Sequence, residues 1–113
     1  MSPRDPFIRL RDMLEAIERI RSYTEGMEPT EFARDTKTYD AVLRNLTVLG
    51  EAARALPEGV RASVPDVPWR AVQGFRNIVV HEYFGVDTEI VWHTITDDLP
   101  ELERAIRDAL EAR

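Results

Sequence analysis

Apolar residues recur at three- and four-residue steps along almost the whole chain, and no segment alternates with the period-two pattern of a half-buried strand. From about Asp5 to Met27, Phe7, Leu10, Leu14, Ile17 and Ile20 mark one face while charges fill many of the positions between them. That spacing predicts a long first helix, closed by Gly26 as its C-cap and followed by Pro29. A second segment runs from Thr30 to about Leu56, with Thr30 or Asp35 available as its cap. Val42, Leu46, Leu49, Ala53 and Leu56 trace its core stripe, and the small residues Gly50, Ala52 and Ala53 allow close approach of a neighbour. Glu51, the one charge among them, reads as a surface residue at the edge of that packing. Pro57, Gly59, Pro65 and Pro68 then punctuate a connection with room for a short helical turn from Glu58 to Ser63.

Pro68 suits a first helical turn, where its missing N–H costs nothing. Trp69, Val72, Phe75 and Val79 give the helix that follows an apolar face, so the two aromatics are expected in the core. Gly74 interrupts this helix at a cost of about 1 kcal/mol relative to alanine, which suggests close approach of another backbone, as at a dimer contact. Phe84-Gly85 predicts a helix end, with a restart at Asp87 or Thr88. Trp92, Ile95, Leu99, Leu102 and Ile106 then step three, four, three and four residues, the seam of a bundle helix. Pro100 interrupts that seam and predicts one kinked helix, with two shorter helices as the alternative. The charged tail is expected to fray. The fold class expected is all-α: an up-and-down bundle of four to five helices forming one domain over residues 1–113.

Composition narrows the function. With 113 residues, 43% of them hydrophobic, the chain suits a single core. The absence of cysteine removes disulfides and thiolate metal sites, and no apolar run approaches the length of a membrane span. Asp5, Arg9, Arg11 and Asp12 break any signal-peptide-like stretch, so a soluble cytoplasmic protein is expected. Twenty-one acidic against 15 basic side chains give a net charge of −6. Any nucleic acid must therefore be held by a local patch rather than by the field of the whole molecule. Arg4, Arg9, Arg11, Arg19 and Arg21 read first as a solvated face of the opening helix, and second as a lining for RNA or a partner.

One such local patch is legible. From Val67 to His81 there is no carboxylate, and the stretch ends in Arg76-Asn77-Ile78-Val79-Val80-His81-Glu82-Tyr83. A guanidinium grips a phosphate with two donors and stays charged, while an imidazole moves a proton near neutral pH, so Arg76 and His81 together suit phosphate chemistry. Five residues apart, they stand roughly 140° apart on an ideal helix and flank one side of it. The plainer reading is an arginine pairing on a helix surface and a histidine favoured by a helix C-terminus. Metal ligation through His81 and Glu82 with Asp87 or His93 is weaker, because the His-x-x-x-His spacing is missing. Nor is there a phosphate-cradling G-x-x-x-x-G-K, a G-x-G-x-x-G or a G-x-S-x-G sequence, so no cofactor is expected.

Arg76-Asn77 followed by His81 and Tyr83 resembles the R-x4-H-x-Y signature of the HepT-like proteins, a branch of the HEPN superfamily of small helical bundles. Tyr39-Asp40-Ala41-Val42-Leu43-Arg44-Asn45-Leu46, Gly50-Glu51-Ala52-Ala53, Pro68-Trp69-Arg70, Tyr83-Phe84-Gly85-Val86-Asp87, Ile90-Val91-Trp92 and Asp98-Leu99-Pro100-Glu101-Leu102 stand in the order that family shows. The resemblance covers roughly residues 7 to 106. It implies a metal-independent RNA endonuclease, the toxin of a type VII toxin–antitoxin pair whose partner is a MntA-like nucleotidyltransferase. By the same resemblance Arg76 stabilises the phosphate, His81 is general base or acid, Asn77 orients the pair or the substrate, and Tyr83 accepts AMP from the partner.

Metal-free RNA cleavage needs a base for the 2′-hydroxyl proton, an acid for the leaving 5′-oxygen and a cation for the phosphate. The chain has only two histidines, His81 and His93, and His93 reads as surface or packing beside Trp92. A homodimer in which two copies of Arg76 and His81 face one cleft meets the shortage, as the family implies. The competing reading is a binding module: the same bundle docks a nucleotidyltransferase or holds a nucleotide and cuts nothing.

Overall fold

The computed structural model describes residues 5–75, 77 and 88–112. Among these every secondary-structure element is helical, with no strand. Helix α1 (Pro6–Thr24) starts where Asp5 accepts a hydrogen bond from the Phe7 N–H at 2.9 Å, with Pro6 just inside the first turn. It stops at Thr24, and Gly26 takes φ +76°, the left-handed geometry a side chain resists, while Met27 N–H donates to the Thr24 carbonyl at 3.0 Å. Leu10, Ile17 and Ile20 are fully buried as the spacing requires, and Met13 and Ala16 join them. Each fully buried aliphatic side chain of this kind contributes about 1.5–3 kcal/mol.

The segment expected as one helix from Thr30 to Leu56 is two: α2 (Pro29–Arg34) and α3 (Thr36–Ala55). Asp35 makes the break. Its backbone leaves the helical region at φ −88°, ψ 86°, and its Oδ1 accepts the Thr38 N–H at 3.0 Å. That backbone hydrogen bond from Thr38, joined by one from the Thr38 hydroxyl, holds the Asp35 carboxyl below its ordinary pKa. A cap that satisfies an orphan N–H of α3 is worth more here than one continuous helix. The division turns Phe32 inward, fully buried, where it meets Tyr39 edge-on at 5.5 Å between ring centres. Glu51 is exposed beside the buried Gly50, Ala52 and Ala53, at the edge of the packing.

After α3 come α4 (Glu58–Ser63) and α5 (Trp69–Gln73), the first within the bounds its spacing predicts. On the far side of the undescribed stretch, α6 (Thr88–His93) continues without a break through a π-helical turn, Thr94–Asp98, into α7 (Leu99–Glu111). Pro100 accounts for the turn. It has no N–H to offer the Thr96 carbonyl and its ring crowds that oxygen, so the helix widens, and Leu99 N–H reaches back to the Thr94 carbonyl. The expected kink is therefore a π turn in one helical path. Ile95, Leu99, Leu102 and Ile106 keep their seam through it, all buried. The tail expected to fray is helical to Glu111, with Ala109 and Leu110 packed against the core.

The long helices α1 and α3 pack along one another and α7 lies against α1; α5 sits on α3, and α6 on α2. Charge fastens α1 to α7. Arg21 and Arg107 both donate to the buried carboxylate of Glu103, and Arg107 also reaches Glu18 at 3.4 Å. Burial pushes the Glu103 carboxyl up, but the hydrogen bonds from Arg21 and Arg107 outweigh it and hold the group ionised below its ordinary pKa. Among the described residues no helix is long and apolar enough to cross a membrane.

Replacing Glu103 by alanine removes the acceptor of both guanidinium groups, and should lower the free energy of unfolding by about 1–2 kcal/mol in urea titrations at neutral pH. Because the folded-state pKa is depressed, the wild-type advantage is full above the ordinary carboxylate range and disappears as pH falls through the folded value. Titrations at a series of pH values should show the two proteins converging in acid; an advantage that grows toward acid would contradict the ion-pair account.

Candidate functional site

Of the residues that carry the expected chemistry, Asn77 is described; Arg76, His81 and Tyr83 lie outside the described residues, as do Val79, Phe84-Gly85 and Asp87. Asn77 is exposed, and its backbone N–H donates to the Gly74 carbonyl at 2.9 Å. The entry to the motif is firmly built. Trp69 directs its indole N–H at two carbonyls at once, Arg61 at 2.9 Å and Val64 at 3.0 Å, which ties α5 to the end of α4. Arg61 in turn donates to the carbonyls of Ala53 and Leu56, closing the C-terminus of α3. Val72 and Phe75 are buried in the core, so neither Phe75 nor the pinned Trp69 is free to act as a base-stacking platform.

Gly74 closes α5. It has ordinary right-handed geometry, φ −73°, and an added Cβ would meet the carbonyls of Ala71 and Arg70, at 3.3 and 3.4 Å, within its own turn. Nothing described from another element approaches it.

The exit from the motif is equally anchored, through a feature that sequence reasoning passed over. Val91 is buried in the same core as Phe75, and Trp92 lies tilted by 43° against Phe32 with ring centres 5.2 Å apart. The next residue, His93, points outward, with 73% of its side chain exposed, as its surface reading anticipates. It is not idle there. Its Nδ1 stands 2.7 Å from Asp97 Oδ2, one turn on, within the π-helical segment. The signal was present as a histidine and an aspartate four apart, just ahead of Pro100. Pro29, Thr88, Glu89, Trp92, His93 and Thr96 line a cleft of about 300 Å³ between α2 and α6.

The arginines of α1 are partly committed: Arg19 pairs with Glu15 at 2.5 Å, and Arg21 with Glu103. This favours the solvated, structural reading for these two. In the larger cleft that Arg21 shares with Glu18, Glu25, Glu103 and Arg107, both guanidinium groups are paired with carboxylates.

The profile of the family described as Ribonuclease HepT-like matches residues 13–109. A Methanocaldococcus jannaschii protein named as a candidate RNase is 38% identical over 112 residues, covering 96% of this chain and 93% of its own. A Thermococcus cleftensis protein named as a probable ribonuclease HepT is 38% identical over 94 residues, 83% of this chain and 86% of its own. A candidate RNase of Caldanaerobacter subterraneus is 34% identical over 102 residues, 90% and 91% of the two chains. No solved structure matches the chain.

Proposed function

Because this chain belongs to the HepT-like ribonuclease family, we propose that it is a metal-independent RNA endonuclease whose reaction is carried by Arg76 and His81. The observation that carries the reading is the intact Arg76-Asn77 to His81-x-Tyr83 wording inside the matched span, in a chain whose overall charge is −6. An acidic protein that handles RNA needs a local cation, and the run from Val67 to His81 contains no carboxylate to oppose one. Arg76 holds the scissile phosphate and stabilises the charge that builds on its oxygens. His81 takes the 2′-hydroxyl proton or returns one to the 5′-oxygen, and Asn77, whose side chain is on the exposed surface, orients the substrate.

One imidazole is one proton carrier, so the cleft is built from two copies of the chain. The protein acts in the cytoplasm as the toxin of a type VII pair, with a MntA-like nucleotidyltransferase as antitoxin. That partner transfers AMP to Tyr83. The phosphodiester so formed sits two residues from His81, competes for the Arg76 guanidinium and blocks the path of RNA by charge and by bulk.

His81→Ala and Arg76→Ala should each keep the helical circular dichroism of the wild type and lose at least a hundredfold in RNA cleavage. Cleavage that persists in His81→Ala would remove the mechanism and favour the binding-module reading. Light scattering at micromolar concentration should give the mass of a dimer, and a monomer would contradict the two-copy cleft. Co-expression with the neighbouring nucleotidyltransferase should add whole adenylyl masses that vanish in Tyr83→Phe; adducts on another residue would contradict the switch.

A further inference from the structure

The cleft between α2 and α6 has a chemistry the motif does not use. Its lining combines the partly buried Trp92 and Pro29 with Thr88, Glu89, His93 and Thr96. Asp97, 2.7 Å from Nδ1, fixes the proton there and leaves Nε2 facing solvent as an acceptor, or as a donor when the ring is charged. Position favours a ligand over plain surface: Thr88, in the lining of the cleft, is seven residues after His81, so at most about 25 Å of chain separates the two.

We propose that this cleft is a subsite for one nucleotide of single-stranded RNA, adjoining the one that is cut. The proposal rests on the ribonuclease reading above for the identity of the ligand. The base lies against Trp92 and Pro29, as bases lie on aromatic platforms in proteins that bind single strands. The sugar hydroxyl donates to His93 Nε2 and Thr88 completes the polar side, the Thr96 hydroxyl proton being already given to the Trp92 carbonyl at 3.1 Å. Glu89, also in the lining, turns the phosphate away from its side and can accept from an amino group of the base. Asp97 is a positioning residue, acting through the orientation of His93. A volume of about 300 Å³ suits a base with its sugar.

The test is NMR titration of the purified full chain with a 2′-O-methylated tetraribonucleotide, which binds but lacks the hydroxyl needed for cleavage. The Trp92 indole and His93 imidazole signals should shift saturably. The Trp69 indole, held by the Arg61 and Val64 carbonyls, should stay in place. Trp92→Ala should weaken binding about five- to a hundredfold. Since Trp92 also packs on Phe32, the surface variant His93→Gln serves as the second arm: it should raise KM for RNA severalfold and leave kcat within about twofold. In Asp97→Asn the imidazole signals should show mixed tautomers together with the raised KM. Saturable binding that leaves Trp92 and His93 unmoved, or an unchanged KM in His93→Gln, overturns the subsite and leaves the ribonuclease reading standing. Shifts at Trp92 and His93 in a protein that cuts no RNA support the subsite and defeat the ribonuclease reading instead.

Discussion

The burial of Phe75 and Val91 in one core is the constraint on which the rest depends. These two residues bracket the motif stretch, so the chain enters it and leaves it from points fixed to the same body. Behind Phe75 stand the doubly bonded Trp69 indole and the Arg61 clasp on the end of α3. Behind Val91 stand Trp92 on Phe32 and the seam that runs through the π turn to Ile106. Scaffolding of this kind is what a site needs if its reacting groups are to be held to a fraction of an ångström.

Much of the core was legible because burial and period coincide. Leu10, Ile17, Val42, Leu46, Leu99 and Leu102 were found by counting threes and fours, and all are buried. The breaks were harder, because they depend on competition between local hydrogen bonds and helix continuation. Asp35 was visible as a possible cap, but nothing in the spacing said that its bond to Thr38 N–H would divide the segment. Pro100 announced a disturbance, but whether a helix answers a missing N–H by kinking or by widening depends on which carbonyls neighbouring groups can satisfy. Here the helix widens, and Leu99 N–H reaches back five residues to the Thr94 carbonyl.

The candidate site was legible as a motif, Arg76 to Tyr83, because residue types and spacing carry phosphate chemistry and the family likeness together. Its described member, Asn77, is exposed. The His93–Asp97 pair was not read from sequence, since a lone histidine beside a tryptophan looks like packing until the carboxylate one turn on is seen to hold it. Acidity shapes the whole: the ion pairs of Glu103 and Glu15 consume arginines on α1 and α7, which narrows the cationic surface left for RNA. Recognition then has to be local.

The central claim is that the 2′-hydroxyl of the RNA itself is the nucleophile and that protein side chains alone move the protons. The direct measurement is to cut a defined oligoribonucleotide in excess EDTA and determine the product termini by mass spectrometry. The account predicts undiminished cleavage and a 2′,3′-cyclic phosphate on the upstream fragment. Loss of cleavage with chelator, or a 3′-hydroxyl at the cut, would contradict it.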